Sequence, residues 1–174
     1  KAAITQGLAG RDFSHVLGAP EKASPTAVRD GSLYCYNMFA YIDGDFLLKA
    51  VAYIKQGGNP KALKEAGMVP DMMKRGAMRM VYDGRYVFTR YFSPKQHNRP
   101  VTLEEIYRYN DVELFDTQAD PLEMNNLAAT IDNKHRELVL AMNEKLNGLI
   151  GEEVGEDRGQ MLPGGTDAAW EVTP

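Results

Sequence analysis

Residues 77–92 read Ala77-Met78-Arg79-Met80-Val81-Tyr82-Asp83-Gly84-Arg85-Tyr86-Val87-Phe88-Thr89-Arg90-Tyr91-Phe92, two β-compatible runs on either side of Asp83-Gly84. Branched and aromatic residues suit a pleated, half-buried surface. Asp-Gly is a preferred centre for a two-residue type I′ turn, which takes positive φ at both central positions. The stretch therefore predicts a hairpin, Met78–Tyr82 against Arg85–Phe92. A loop made of residues 83 and 84 puts Met80 opposite Val87, Val81 opposite Tyr86 and Arg79 opposite Phe88. Both faces then carry bulky apolar groups, whereas a sheet with one solvated face alternates more cleanly. Both faces are expected to be covered.

Outward from the hairpin, residues 26–38 predict a first strand, with Val28, Leu33, Tyr34, Tyr36 and Met38 as its β-compatible positions and Asp30-Gly31 as a bulge or turn. From Asp43 to about Gln56 the period changes. Phe46, Leu47, Ala50, Val51 and Ile54 fall at helical spacing, and Asp43 or Asp45 can cap the start. Gly57-Gly58-Asn59-Pro60 ends that helix, and Pro60 to Ala66 predicts a short second one. Residues 43–75 thus form a helical insertion between the first strand and the hairpin. Beyond the hairpin lie a polar loop from Ser93 to Thr102, a helical turn over 103–109 and a last strand from Val112 to Asp116.

Ile131, His135, Leu138, Met142, Leu146 and Leu149 then recur at three and four residues. That predicts a helix over 131 to about 153 with one apolar face, anchored through Leu138, Met142 and Leu146. Thr130 is placed to cap it, and Asp132 favours the positive end of its dipole. The expected fold is α+β: a roughly four-stranded antiparallel sheet with a long C-terminal helix packed on one face. Residues 1–25 read as a lead-in, 26–154 as the α+β unit and 155–174 as an extended tail.

Composition narrows the function classes. A chain of 174 residues with 44% hydrophobic and 25% charged content can bury a core as one globular domain. No apolar run approaches the roughly 18 residues of a membrane-spanning helix, so no membrane partner is expected. The net charge of −4 conceals an asymmetry. Residues 1–112 hold 16 Lys and Arg against 11 Asp and Glu, and residues 113–174 hold 4 against 13. The basic sector can attract anions, while the acidic total and the lack of a recognised motif point away from nucleic acid. Cys35 is the single cysteine, so no internal disulfide or multi-cysteine metal site exists. In its aromatic strand it reads as a small buried hydrophobe. His135, on the apolar helix face, reads as a packing residue, and His15 has no motif around it.

Glu113-Leu114-Phe115-Asp116, Asp120-Pro121, Glu123 and Asn125-Asn126-Leu127-Ala128 stand in an order that resembles the C-terminal end of the sulfatase family, where E-L-Y-D-x-x-x-D-P-x-E-x-N-N-L-A recurs. The resemblance is strongest over residues 76–157. It takes in the hairpin, the strand ending Arg90-Tyr91-Phe92, the last helix and Gly155-Glu156-Asp157. Leu8 to Ser14 is similar to the loop that precedes the family's C-terminal sheet. In that family this part is a small four-stranded antiparallel sheet with a helix packed on it.

The resemblance implies a parent enzyme that hydrolyses sulfate esters, with phosphonate or phosphate esters as the variant chemistry. It implies a formylglycine made from Cys or Ser in a C/S-x-P-x-R run, and a bound divalent metal, usually calcium. Cys35 is followed by Tyr36-Asn37-Met38-Phe39, and Ser24-Pro25 misses the spacing by one residue. Calcium takes about six to eight oxygen ligands, whereas the acids here are scattered along the sequence. No catalytic residue and no metal ligand is therefore expected in this chain. The chain, starting at Lys1, reads as a piece of its parent.

The implied partner is the catalytic domain of that parent, with a homo-oligomer as a further expectation. Lys95, His97 and Arg99 are the substrate-binding candidates, two cations and a titratable ring on one loop that would stand at a pocket rim. The competing reading of that loop is a solvated hairpin exit. Asp120-Pro121 and Asn125-Asn126 are turn and cap chemistry in physical terms. Met68, Met72, Met73, Met78 and Met80 fill a core or line an adaptable interface. The rival function is a stand-alone, non-catalytic module that binds an anionic ligand or mediates assembly.

Overall fold

The computed structural model describes residues 10–38, 43–130, 132–160 and 162. The start of the lead-in, Ile131 and the tail from residue 163 lie outside the described residues. In chain order the elements are α1 (Ser14–Gly18), β1 (Ser32–Asn37), α2 (Gly44–Lys55), β2 (Ala77–Tyr82), β3 (Tyr86–Phe92), α3 (Leu103–Tyr109), β4 (Asn110–Asp116) and α4 (Asn133–Glu153). The strands form one sheet in the order β1-β2-β3-β4, every neighbour antiparallel. The α+β class read from the sequence is the class observed.

The hairpin differs from its sequence reading by two residues of register. Val81 pairs with Phe88 and Arg79 with Arg90. Asp83 stands opposite Tyr86, its amide donating to the Tyr86 carbonyl at 3.2 Å, so Gly84 and Arg85 form the turn. The reason lies in the Asp83 side chain. Its carboxylate accepts the amides of Arg85 (3.0 Å) and Tyr86 (2.8 Å), which makes Asp83 the opening residue of the turn and not its centre. Only Gly84, at φ 97°, takes the left-handed conformation there. Because side chains alternate with a period of two, this slip leaves every residue on its expected face.

Helix α4 covers one face of the sheet. Val139, Met142, Leu146, Leu149 and Ile150 pack with Val81, Phe88 and Leu114, and Ile106 of α3 closes the end of this core. Asp132 caps the helix by accepting the His135 amide at 2.8 Å, in place of the expected Thr130. Leu138 is only partly buried, and Val139 holds the central position expected for it. A pair of buried asparagines, Asn143 and Asn147, shares the sheet-facing stripe with the apolar residues. Met142, Leu146 and Leu149 are buried as expected, and a hydrophobic-period reading, which discards polar residues, leaves the two asparagines out of the stripe.

Strand β1 is shorter than expected, and Pro60–Ala62 is a single 3₁₀ turn followed by further turns, not a helix to Ala66. The insertion is tied at its ends by Asp43. That carboxylate caps α2 through the Phe46 amide (3.2 Å), accepts the Asp71 amide (3.0 Å) and meets Lys74 Nζ at 2.7 Å. The Lys74 contact first, then these amides, hold the Asp43 carboxyl well below the usual carboxylate range. The helix itself leaves Leu48, Val51 and Ile54 exposed.

The two edges of the sheet are treated differently. The outer edge of β4 is covered by its own following loop. Asn126 Oδ1 accepts the Leu114 amide (3.0 Å), and Asn126 Nδ2 donates to the Val112 carbonyl (3.0 Å). The Leu127 amide donates to the Leu114 carbonyl at 2.8 Å. One side chain and one amide thus take the place of a fifth strand. Strand β1, at the opposite edge, pairs only with β2 among the described residues.

Candidate functional site

The Ser93–Arg99 loop splits its three candidate residues between two environments. Lys95 and Arg99 are exposed, while His97 is 9% exposed and turns inward. Its Nε2 lies 3.0 Å from Asp157 Oδ1, an ion-pair distance but out of line for a good hydrogen bond, and its ring lies 5.8 Å from that of Phe92. The structure therefore brings Lys95 and Arg99 to the surface of one loop and sends His97 into the interior behind it.

That interior holds two guanidiniums which sequence reasoning left out. Arg79 and Arg90 are paired across β2 and β3 on the helix-facing side, at 1% and 2% exposure. Arg79 lies over the Phe92 ring, 5.1 Å from its centroid, with Nε 3.5 Å from Asp157 Oδ2. Its Nη1 donates to Asn37 Oδ1 (3.2 Å) and to the Met78 carbonyl (3.0 Å). Arg90 reaches the helix, donating from Nη1 to Asn143 Oδ1 (3.0 Å) and from Nη2 to Asn147 Oδ1 (3.1 Å). The amide groups of both asparagines donate in turn to the Pro100 carbonyl, each at 2.9 Å. Arg90 and these two amides fix α4 to the end of the loop.

The charges explain the titration of the cluster. Burial pushes Arg90 down to about 9, and the neighbouring Arg79 adds to that. Burial alone would raise the Asp157 carboxyl. His97, Arg79 and the Gly159 amide together outweigh it and hold the group at about 2. The tail after α4 is thereby drawn back over the sheet, with Leu162 packed on Ala77 and Phe92. Period-two reading could have found the arginines, since Arg79 alternates with the outward Met78 and Met80 and shares its face with Ala77 and Val81.

At the surface, Arg99 borders a depression of about 570 Å³ with Val101, Leu140, Asn143 and Glu144 among its walls. Residues of the Glu113–Ala128 stretch hold turns and the β4 edge. Asp116 accepts the amides of Gln118 and Ala119 and pairs with Arg85, and Asp120 accepts the Asn125 amide at 2.7 Å. His135 sits beside Asp132, with Nδ1 3.0 Å from its carboxylate. Cys35 is half-buried, and burial raises its thiol.

Among the described residues no three His, Cys, Asp or Glu side chains gather around a common point. Among the described residues no helix is long and apolar enough to cross a membrane. No protein-family model, curated protein or solved structure matches the chain.

Proposed function

We propose that this chain is the C-terminal subdomain of a sulfatase-like hydrolase. It supports the catalytic domain and borders the substrate pocket of a parent that hydrolyses sulfate esters. The observation that carries this reading is the unequal treatment of the two sheet faces. One is closed by α4 and by the Asp157 strap. The other presents Tyr34 and Tyr36, 46% and 44% exposed and stacked with ring centroids 6.2 Å apart, beside Met78 and Met80. An aromatic and methionine-rich face suits burial against a larger body. The turn and edge roles of Asp116, Asp120 and Asn126 agree with it, because the residues that carry the family resemblance are those that hold this fold together.

Formylglycine and calcium, which such a parent uses, belong in this reading to its catalytic domain. Lys95 and Arg99 serve as cations at the pocket rim, and they aid capture of a charged ester more than bond cleavage. The test is to express this chain joined to its upstream coding region and to assay an aryl sulfate. The joined protein is expected to turn over and the chain alone to be silent. Turnover by the chain alone, or an upstream region without a C/S-x-P-x-R run, refutes the proposal. In the joined protein, Lys95→Ala with Arg99→Ala should raise KM more than it lowers kcat. That effect should shrink with added salt.

A further inference from the structure

The Arg79–Arg90 cluster is not electrically balanced. Two charged guanidiniums face one carboxylate, Asp157, among the described residues, and His97 can only add to the excess. Two arginine donors are also unspent. Arg79 Nη2 and Arg90 Nε are buried and have no hydrogen-bond partner among the described residues. A buried donor without a partner costs about 1–3 kcal/mol, and more when it is charged. Buried charges are ordinarily paired. Asn143 and Asn147 supply Arg90 with dipoles but no charge.

From these observations we infer that the cluster is an anion site, in which Arg79 Nη2 and Arg90 Nε hold one small monovalent anion. With His97 neutral the excess is a single positive charge, so a monovalent ion balances it and a divalent one overcompensates. Both arginines are at most 2% exposed, which favours a compact ion of halide size over a bulky organic acid. The ion would neutralise the junction where β2, β3, the Ser93–Arg99 loop and the Asp157 strap meet. It would make the stability of the unit depend on the halide concentration.

The test uses the full chain in sodium gluconate buffer at fixed ionic strength, with chloride substituted stepwise for gluconate. The melting temperature is expected to rise with chloride and to saturate, as for a ligand that binds only the folded state. Asp157→Asn removes the one carboxylate. It should be less stable overall yet bind chloride at least about tenfold more tightly, because a nearby negative charge is gone. Arg90→Met should lose the chloride response. If Arg90→Met does not fold, the Asp157→Asn comparison and the ³⁵Cl linewidth of the wild-type protein decide the matter, since bound chloride broadens that line. A flat melting response in the wild type overturns the inference, as it would if another acidic group of the chain already fills the place. A response in Asp157→Asn no stronger than wild type overturns it too.

Discussion

Asn125 and Asn126 are neighbours in one motif, and the structure gives them opposite weights. Asn126 makes three side-chain hydrogen bonds: to the amides of Leu114 and Ala128 at 3.0 and 2.9 Å, and to the Val112 carbonyl at 3.0 Å. Asn125 is exposed, and among the described residues only its backbone amide is engaged, by Asp120. Each such bond contributes about 1 kcal/mol net, and a buried group left without its partner costs about 1–3 kcal/mol. Leu114 is fully buried and Ala128 is 2% exposed, so water cannot easily replace the lost acceptor. Asn126→Ala should therefore cost about 2–4 kcal/mol, a large share of the roughly 5–15 kcal/mol that stabilises a domain. Asn125→Ala should stay within about 0.5 kcal/mol. Urea denaturation followed by circular dichroism measures both, read as midpoints at equal slope. Asn126→Asp keeps the acceptor but sets an oxygen against the Val112 carbonyl, so it should recover stability relative to wild type below about pH 4, where the protonated acid can donate. Equal losses at Asn125 and Asn126 would refute the account of the β4 edge.

The remaining predictions concern the core, the turn and acid stability. Leu146→Ala should cost about 3–5 kcal/mol, because Leu146 is wholly enclosed, whereas Leu138→Ala should cost about 1 kcal/mol; equal costs by denaturation would reject the placement of the α4 stripe. Gly84→Val should cost about 1–3 kcal/mol, since Gly84 has φ 97° and a Cβ there would meet Pro25 at 2.6 Å; an unchanged midpoint would reject the turn. The Asp157 carboxyl sits at about 2 when folded against about 3.9 when unfolded, so its stabilisation is complete above pH 4 and fades as the pH falls through 2. That limb is worth on the order of 2 kcal/mol, and an acid titration of Asp157→Asn should lack it.

Much of the fold was legible because its signals are local. The hairpin runs, the Asp43 cap of α2 and the apolar repeat of α4 each follow from a few neighbouring residues. What escaped was long-range or polar. The hairpin register turned on one carboxylate, Asp83, choosing to bind amides two and three residues ahead. The α4 stripe was read without Asn143 and Asn147, because they are buried only through Arg90 and Pro100, residues far away in sequence. The loop candidates were visible as a run of Lys95, His97 and Arg99. The partner that draws His97 inward, Asp157, lies across the fold and carried no signal that linked the two.

The unequal edges of the sheet set a limit on how copies of this unit can join. An unpaired strand invites another by backbone hydrogen bonding. Among the described residues only the β1 margin offers that invitation, and residues 32–36 carry no Lys, Arg, Asp, Glu or Pro to discourage it. Two copies meeting margin to margin would use up both openings, and the sealed β4 strands would form the two outer rims. Growth through this margin alone ends at a pair. Removing the Asn126 carboxamide would reopen the far rim and change a self-limiting contact into one that can propagate.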